Sequence, residues 1–230
     1  MIDGRKVLAV IPARGGSKRL PRKNTLLLAD KPLIAWSIEA ASMSRYIDQV
    51  LVSTDDEEIA SISRRFGGEV PELRPAHLSS DTATTESVLL YILEAYGKGA
   101  EILVLLQPTS PLRTSTHVDE ALDFFVNNDA ESVVSVTPCE HSPLWANTLP
   151  DDFSMGNFIR SDALQRSQDL EQQYRLNGAI YIFDINKLKE NGGIRYTSKS
   201  FAYVMDNTSS VDIDSKLDFQ LATLLISKIK

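Results

Sequence analysis

A chain of 230 residues, 43% of them hydrophobic, can bury one sizeable core, so a single domain over 1–230 is expected rather than several. The net charge of −7 argues against nucleic-acid binding driven by phosphate neutralisation, and no apolar run approaches the ~18 residues of a membrane span. A single cysteine, Cys139, fits a reducing cytoplasm, and MIDGRKVLAVIPARGG lacks the long hydrophobic stretch of a secretory leader.

In chain order, KVLAVIPA (6–13) is continuous and β-branched, as a strand covered on both faces should be. The stretch after Pro32 reads as a helix, and DQVLVSTD (48–55) as the next strand. A helical pattern runs from Thr84 to Tyr96, ahead of EILVLLQP (101–108), the most apolar strand. Val118, Ala121, Leu122, Phe125 and Val126 recur at helical spacing, and ESVVSVTP (131–138) is again a strand. Residues 138–175 lose this periodicity, mixing Pro, Trp, Phe and charge, and a dimerisation arm is the favoured reading of so long an irregular insertion. Strands resume at NGAIYIFD (177–184) and FAYVMD (201–206). From about Ser215 the last helix is expected to bury Leu217, Leu221, Leu224, Leu225 and Ile229 on one face. Strands alternating with helices predict an α/β fold with a mainly parallel central sheet.

Charge is unevenly spread. Residues 1–25 hold seven basic residues against Asp3 alone, most of them in ARGGSKRLPRKN directly after the first strand. Ligands of parallel sheets bind beyond the carboxyl ends of the strands. There Gly15 and Gly16 can take positive φ and let backbone approach a ligand closely, successive N–H groups can form an anion-binding nest, and Arg14, Lys18, Arg19, Arg22 and Lys23 add positive groups. The spacing is neither that of a P-loop nor G-x-G-x-x-G, so a phosphate loop of another kind is expected.

In VDID, Asp212 and Asp214 project from one face if the segment is extended, which suits Mg²⁺ held by two carboxylates and substrate phosphates. Asp214 also precedes a helix and suits an N-cap. Helix capping is the favoured reading for Asp55 and Asp56, and loop organisation through side-chain-to-backbone bonds for Asp81. His77, His117 and His141 are scattered, with no zinc pattern, and are assigned no catalytic role.

IPARGGSKRLPRKN, followed in order by VSTDDEEIA (52–60), RPAHLSSDTATT (74–85), LLQPTSPLRT (105–114), RLNGAIYIFD (175–184) and SVDIDS (210–215), resembles the acylneuraminate cytidylyltransferases across nearly the whole chain. The resemblance implies a Rossmann-like nucleotidyltransferase fold and a homodimer. The implied reaction joins CTP to a nonulosonic, nine-carbon sugar acid with Mg²⁺, giving the CMP-sugar and pyrophosphate. It further implies that Arg14, Gly15, Gly16, Ser17 and Lys23 bind the phosphates, and that Asn24, Arg74, Ala83 and Thr85 hold the cytidine. Gln107, Arg175, Asn177 and Tyr181 would face the sugar acid, Asp212 and Asp214 would ligate the metal, and Arg14 and Lys23 would stabilise the leaving pyrophosphate.

The insertion departs from the family pattern. EHSPLW carries Trp145 where many members have a basic residue, and QRSQDL carries Arg166 and Ser167 where many have two arginines. These changes bear on the identity of the sugar. Pseudaminic, legionaminic and eight-carbon 3-deoxy-octulosonic acids are the alternatives, with a non-catalytic nucleotide-binding module as the rival from a different class.

Overall fold

The computed structural model describes residues 1–159, 164, 166 and 169–229, without the side chain of Ile229. Ser167 therefore lies outside the described residues. The strands are β1 (Val7–Pro12), β2 (Leu27–Leu28), β3 (Lys31–Pro32), β4 (Gln49–Ser53), β5 (Ile102–Leu105), β6 (Ser132–Pro138), β7 (Tyr174–Asp184) and β8 (Ser200–Val204). The helices are α1 (Leu33–Ser42), α2 (Glu57–Arg65), α3 (Thr85–Ala95), α4 (Ser115–Asn127), α5 (Ile185–Glu190) and α6 (Lys216–Ile229).

Six strands form one sheet in the order β4-β1-β5-β7-β6-β8. The β4–β1, β1–β5 and β6–β8 pairs are parallel, and β7 alone runs antiparallel to its neighbours β5 and β6. The mainly parallel α/β sheet expected from the sequence is thus observed. Successive residues of β1 serve opposite faces: Val7, Ala9 and Ile11 join one core and Leu8 and Val10 the other. The first core packs under α1, α2 and α4, the second under α3 and α5. Covering both faces this way is what makes the central strands read as unbroken apolar runs.

The sequence reading of α6 needs correction. Ala222 and Ile226 are buried against Leu28 and Leu33, with Phe219 and Leu225 packed beside them. Leu217, Leu221 and Leu224 instead stand 72%, 45% and 54% exposed. The helix approaches on the stripe where Ala222 is small enough to permit contact, and the leucines form a second stripe facing away.

The first part of the 138–175 insertion folds back as an extension of the β6–β7 hairpin. Pro138 opposes Tyr174 and the Gln173 carbonyl accepts from the Cys139 N–H at 2.8 Å. Among the described residues no helix is long and apolar enough to cross a membrane.

Candidate active site

The carboxyl ends of β1, β4 and β5 converge, and the loops leaving them build two adjoining cavities. The first, of about 300 Å³, lies between Pro12, Gln107 and the start of α3, with Arg74, Ala83 and Thr85 in its walls. The second, of about 400 Å³, is lined by Arg14, Ser17, Lys18, Arg19, Lys23 and Asp214. Pro12, Arg14, Pro108 and Thr109 line both, so the two are one continuous cleft.

Arg74 reaches the first cavity as a buried side chain. Its Nε donates to Ser79 Oγ at 3.1 Å and its guanidinium lies 3.8 Å from Asp55. Burial lowers its pKa, against the opposing pull of Asp55. A rigid fork of this kind, beside the apolar Leu78 and Val88, suits a flat heterocycle with polar edges. Asp56 caps α2 by accepting from Ile59 N–H at 2.9 Å, as expected. Asp55 does not cap. It accepts from Gly15 N–H at 3.0 Å and so links the basic loop to Arg74.

The glycine loop works differently from the sequence expectation. Neither Gly15 nor Gly16 has positive φ; in this loop Arg22 does, at 56°. Gly15 is needed for close approach, because a Cβ there would sit 2.8 Å from Asp56 Oδ2 and 2.9 Å from its Cβ. A Cβ on Gly16 would meet nothing within 4 Å. Gly15 N–H is given to Asp55 and Ser17 N–H to the Gly15 carbonyl at 2.9 Å. These two amides are bonded within the protein rather than open to a ligand.

Those cations are held by acids from distant parts of the chain. Asp81 accepts from Arg14 at 3.1 Å and pairs with Lys18 at 2.6 Å, two ion pairs in place of the expected side-chain-to-backbone bonds. The Lys18 hydrogen bond, more than its charge, lowers the pKa of Asp81. Lys23, largely buried, donates to Asp214 Oδ1 at 3.1 Å and to the Ile213 carbonyl at 2.5 Å, while Arg19 donates to Asp214 Oδ2 at 2.6 Å.

The VDID segment alternates as an extended chain should. Ile213 is fully buried and its N–H donates to the Thr109 carbonyl at 2.8 Å, so Asp212 and Asp214 turn the other way. Asp214 does not cap α6. Asp218 accepts from both Asp214 N–H and Ser215 N–H, and Ser215 Oγ accepts from Asp218 N–H. The protein packed around Asp212, and next the charge of Asp214, raise the Asp212 pKa, against a hydrogen bond from Thr109.

The residues expected to face a sugar acid divide. Gln107 lines the first cavity, and Tyr181, half-buried in β7, is close enough to Asp212 to feel its charge. Arg175 is elsewhere: it pairs with Glu140 at 3.1 Å beside a third cavity, of about 410 Å³, that Asp212 also lines. Asn177 is 2% exposed, and its carboxamide is bonded within the protein rather than presented to a ligand. Asn24 is also moved. It lines the second cavity rather than the first, and its Nδ2 donates to the Arg14 carbonyl at 3.1 Å, holding the loop.

Two contributors were missed as site-builders, Thr109 and Asp218, and the burial of Arg113, outside the cleft, was missed as well. Arg113 is 1% exposed, with Nη1 on the Ala179 carbonyl at 3.3 Å and no hydrogen-bond partner for Nε or Nη2. Burial lowers its pKa to about 9. Its place in the PLR of LLQPTSPLRT was the one available signal. His117 caps α4 with Thr114.

Comparison with known proteins identifies the family. An N-acylneuraminate cytidylyltransferase of Escherichia coli is 38% identical over 97% of this chain and 52% of its own length, so the chain spans about half of that relative. The CMP-N,N'-diacetyllegionaminic acid synthase of Legionella pneumophila is 38% identical over 96% of each chain. A pseudaminic acid cytidylyltransferase of Campylobacter jejuni is 32% identical over 96% of each. A solved CMP:2-keto-3-deoxy-manno-octonic acid synthetase complexed with CTP shares the fold, with a TM-score of 0.75 at 18% identity over 98% of this chain and 100% of that one. The cytidylyltransferase family model matches residues 8–213, and the chain belongs to that family.

Proposed function

We propose that the protein transfers a cytidylyl group from CTP to a nonulosonic acid, releasing pyrophosphate. The observation that carries this reading is the meeting of Lys23 and Arg19 with Asp214 inside a cleft that continues into a nucleoside-sized cavity. Cytidine occupies the first cavity against Arg74, Ala83 and Thr85; the triphosphate occupies the second among Arg14, Ser17, Lys18 and Lys23.

Asp212 and Asp214 fit a hard divalent cation. They offer carboxylate oxygens on one side of an extended segment. Among the described residues no group of three or more His, Cys, Asp or Glu could hold a metal, which suits Mg²⁺ completed by phosphate oxygens and water rather than by a protein cage. When bound, the ion supplies positive charge where the α-phosphate is attacked. The protein supplies orientation and fixed charge. Arg14 and Lys23 neutralise the departing pyrophosphate, Arg74 and Thr85 fix the nucleoside, and Gln107 and Tyr181 hold the sugar acid with its anomeric hydroxyl toward the phosphorus. No covalent enzyme intermediate is involved.

A homodimer is part of the proposal. Residues 138–175 act as its arm, supported by the exposed Leu149, Phe153 and Met155 there and by the outward leucines of α6. A cytoplasmic setting accords with the unpaired Cys139.

Two relatives at 38% identity carry different sugar names, and the Legionella protein matches this chain in length. N-Acylneuraminic and legionaminic acids are therefore the leading substrates. Pyrophosphate release, measured with CTP, ATP and GTP against a panel of eight- and nine-carbon acids, tests the reading. CTP-specific, Mg²⁺-dependent turnover with one of the acids is expected. Tight CTP binding without turnover on any of them would replace this reading with a non-catalytic nucleotide module.

A further inference from the structure

The β6–β7 pairing slips beside the acidic segment. Val134 opposes Tyr181 and Val136 opposes Leu176, so Ser135 alone faces residues 177–180 across a bulge. A bulge forfeits ladder hydrogen bonds, and buried amides must find other partners. Ser135 and Asn177 provide them. Ser135 Oγ accepts from Ile180 N–H at 2.8 Å and donates to Asn177 Oδ1 at 2.6 Å, which also accepts from Ala179 N–H at 3.2 Å. The other end of the carboxamide leaves the sheet. Asn177 Nδ2 donates to Ser210 Oγ at 2.9 Å and points at the Met205 thioether at 3.4 Å. Ser210, itself buried, donates to the Asp206 carbonyl at 2.6 Å and leads directly into Val211–Asp214.

We propose that Asn177 is a positioning residue for the acidic segment: its carboxamide fixes Ser210, and through it Asp212 and Asp214, to the β6–β7 bulge. The segment then has two anchors, Ser210 on Asn177 and Ile213 on the Thr109 carbonyl, and Asp212 lies between them. A segment held at both ends keeps its carboxylates in place before any ligand arrives, which is what preorganised charge stabilisation requires. The same bulge carries Gly178, at φ 75°, under Gln107 Oε1, and Tyr181 at its far end. One buried amide thus couples the sugar side of the cleft to the cation side. With both oxygen and nitrogen satisfied inside the protein, Asn177 has no group left for the sugar contact that its motif implied.

The inference rests on the cation role given above to Asp212 and Asp214, and its test has a readout that needs neither metal nor substrate. Two variants cut the tie from opposite ends: Ser210→Ala, which leaves the bulge intact, and Asn177→Asp, which keeps the Oδ1 acceptor and removes the donor to Ser210. In metal-free, nucleotide-free protein, amide hydrogen exchange over Val211–Asp214 should quicken about fivefold in each, the loss of one buried hydrogen bond, while β1 amides are unchanged. In turnover assays, half-saturating Mg²⁺ should rise by a similar factor, with the KM for the sugar acid within about twofold of the parent. The double variant should be no worse than Asn177→Asp alone, because both remove the same contact. Unchanged exchange over Val211–Asp214 in Ser210→Ala overturns the proposal. So does a rise confined to the sugar KM in Asn177→Asp. If the unmodified protein turns over none of the acids, the proposed function falls, and the exchange measurement alone still decides whether the tie exists.

Discussion

Lys23 and Asp214 are separated by 191 positions in the chain, yet the lysine ammonium sits 3.1 Å from the aspartate carboxylate. The basic turn after the first strand and Asp214, just before the last helix, meet in one cleft. Lys23→Met should therefore raise the KM for CTP about tenfold or more, roughly the loss of one charge-assisted bond, and leave the KM for the sugar acid within about twofold. Equal losses for both substrates would contradict the phosphate assignment.

Asp214→Ala should lower kcat by at least about 100-fold, in the range of losing an electrostatic contact at the reacting phosphate. Its melting temperature should move by only a few degrees, since capping of α6 belongs to Ser215 and Asp218. Near-normal turnover would remove Asp214 from the metal site.

Gly15 and Gly16 are adjacent in sequence and opposite in expected tolerance. Gly15→Ala would press a methyl into Asp56, the residue that caps α2, and displacing that cap costs about 1 kcal/mol. A lower melting temperature and weaker CTP binding are expected together. Gly16→Ala meets nothing and should behave as the parent. Thermal unfolding of the two variants side by side decides this, and equal effects would defeat the close-approach argument.

The raised pKa of Asp212 has a definite sign. The folded protein holds that proton more tightly than the unfolded chain. Its contribution to stability is thus present at low pH and lost as pH rises through the folded value. The cation role proposed for Asp212 requires its ionised form for turnover. The acid limb of the rate profile should lie above the ordinary aspartate range and move to lower pH as Mg²⁺ is increased, because cation and proton compete for the same oxygens. A limb unmoved by Mg²⁺ would assign the titration elsewhere.

If α6 forms the interface of the proposed homodimer, Leu221→Asp should give a folded monomer, whereas Ile226→Asp should unfold the protein, since it buries a charge in the core. Size-exclusion chromatography with light scattering separates the two outcomes. A Leu221→Asp protein that remains dimeric would place the interface on another face.

The sequence made the sheet and the cleft legible because their signals are local. Short, β-branched apolar runs such as VLAVIP and ILVL read as strands covered on both sides, and ligand loops follow their carboxyl ends. Less legible were side chains whose role depends on distant partners. Asn177 looked like a ligand contact because it sits in a functional motif, but Ser135 and Ser210, remote in sequence, consume its hydrogen bonds. The α6 leucines looked like core because they share a helical face; which stripe is buried was decided by Ala222 fitting against Leu28 and Leu33. Asp55 and Asp56 are indistinguishable as residues, and only the turn geometry made one a cap and the other a brace for Gly15.

Asp81 has a consequence for how the cleft is loaded. By bridging Arg14 and Lys18, it occupies with its own oxygens the cations that a triphosphate would claim. Nucleotide arrival is then an exchange of counter-ions rather than the filling of a bare positive surface. Added salt should weaken association less steeply than the local count of lysines and arginines suggests, and removing the Asp81 charge should make that dependence steeper.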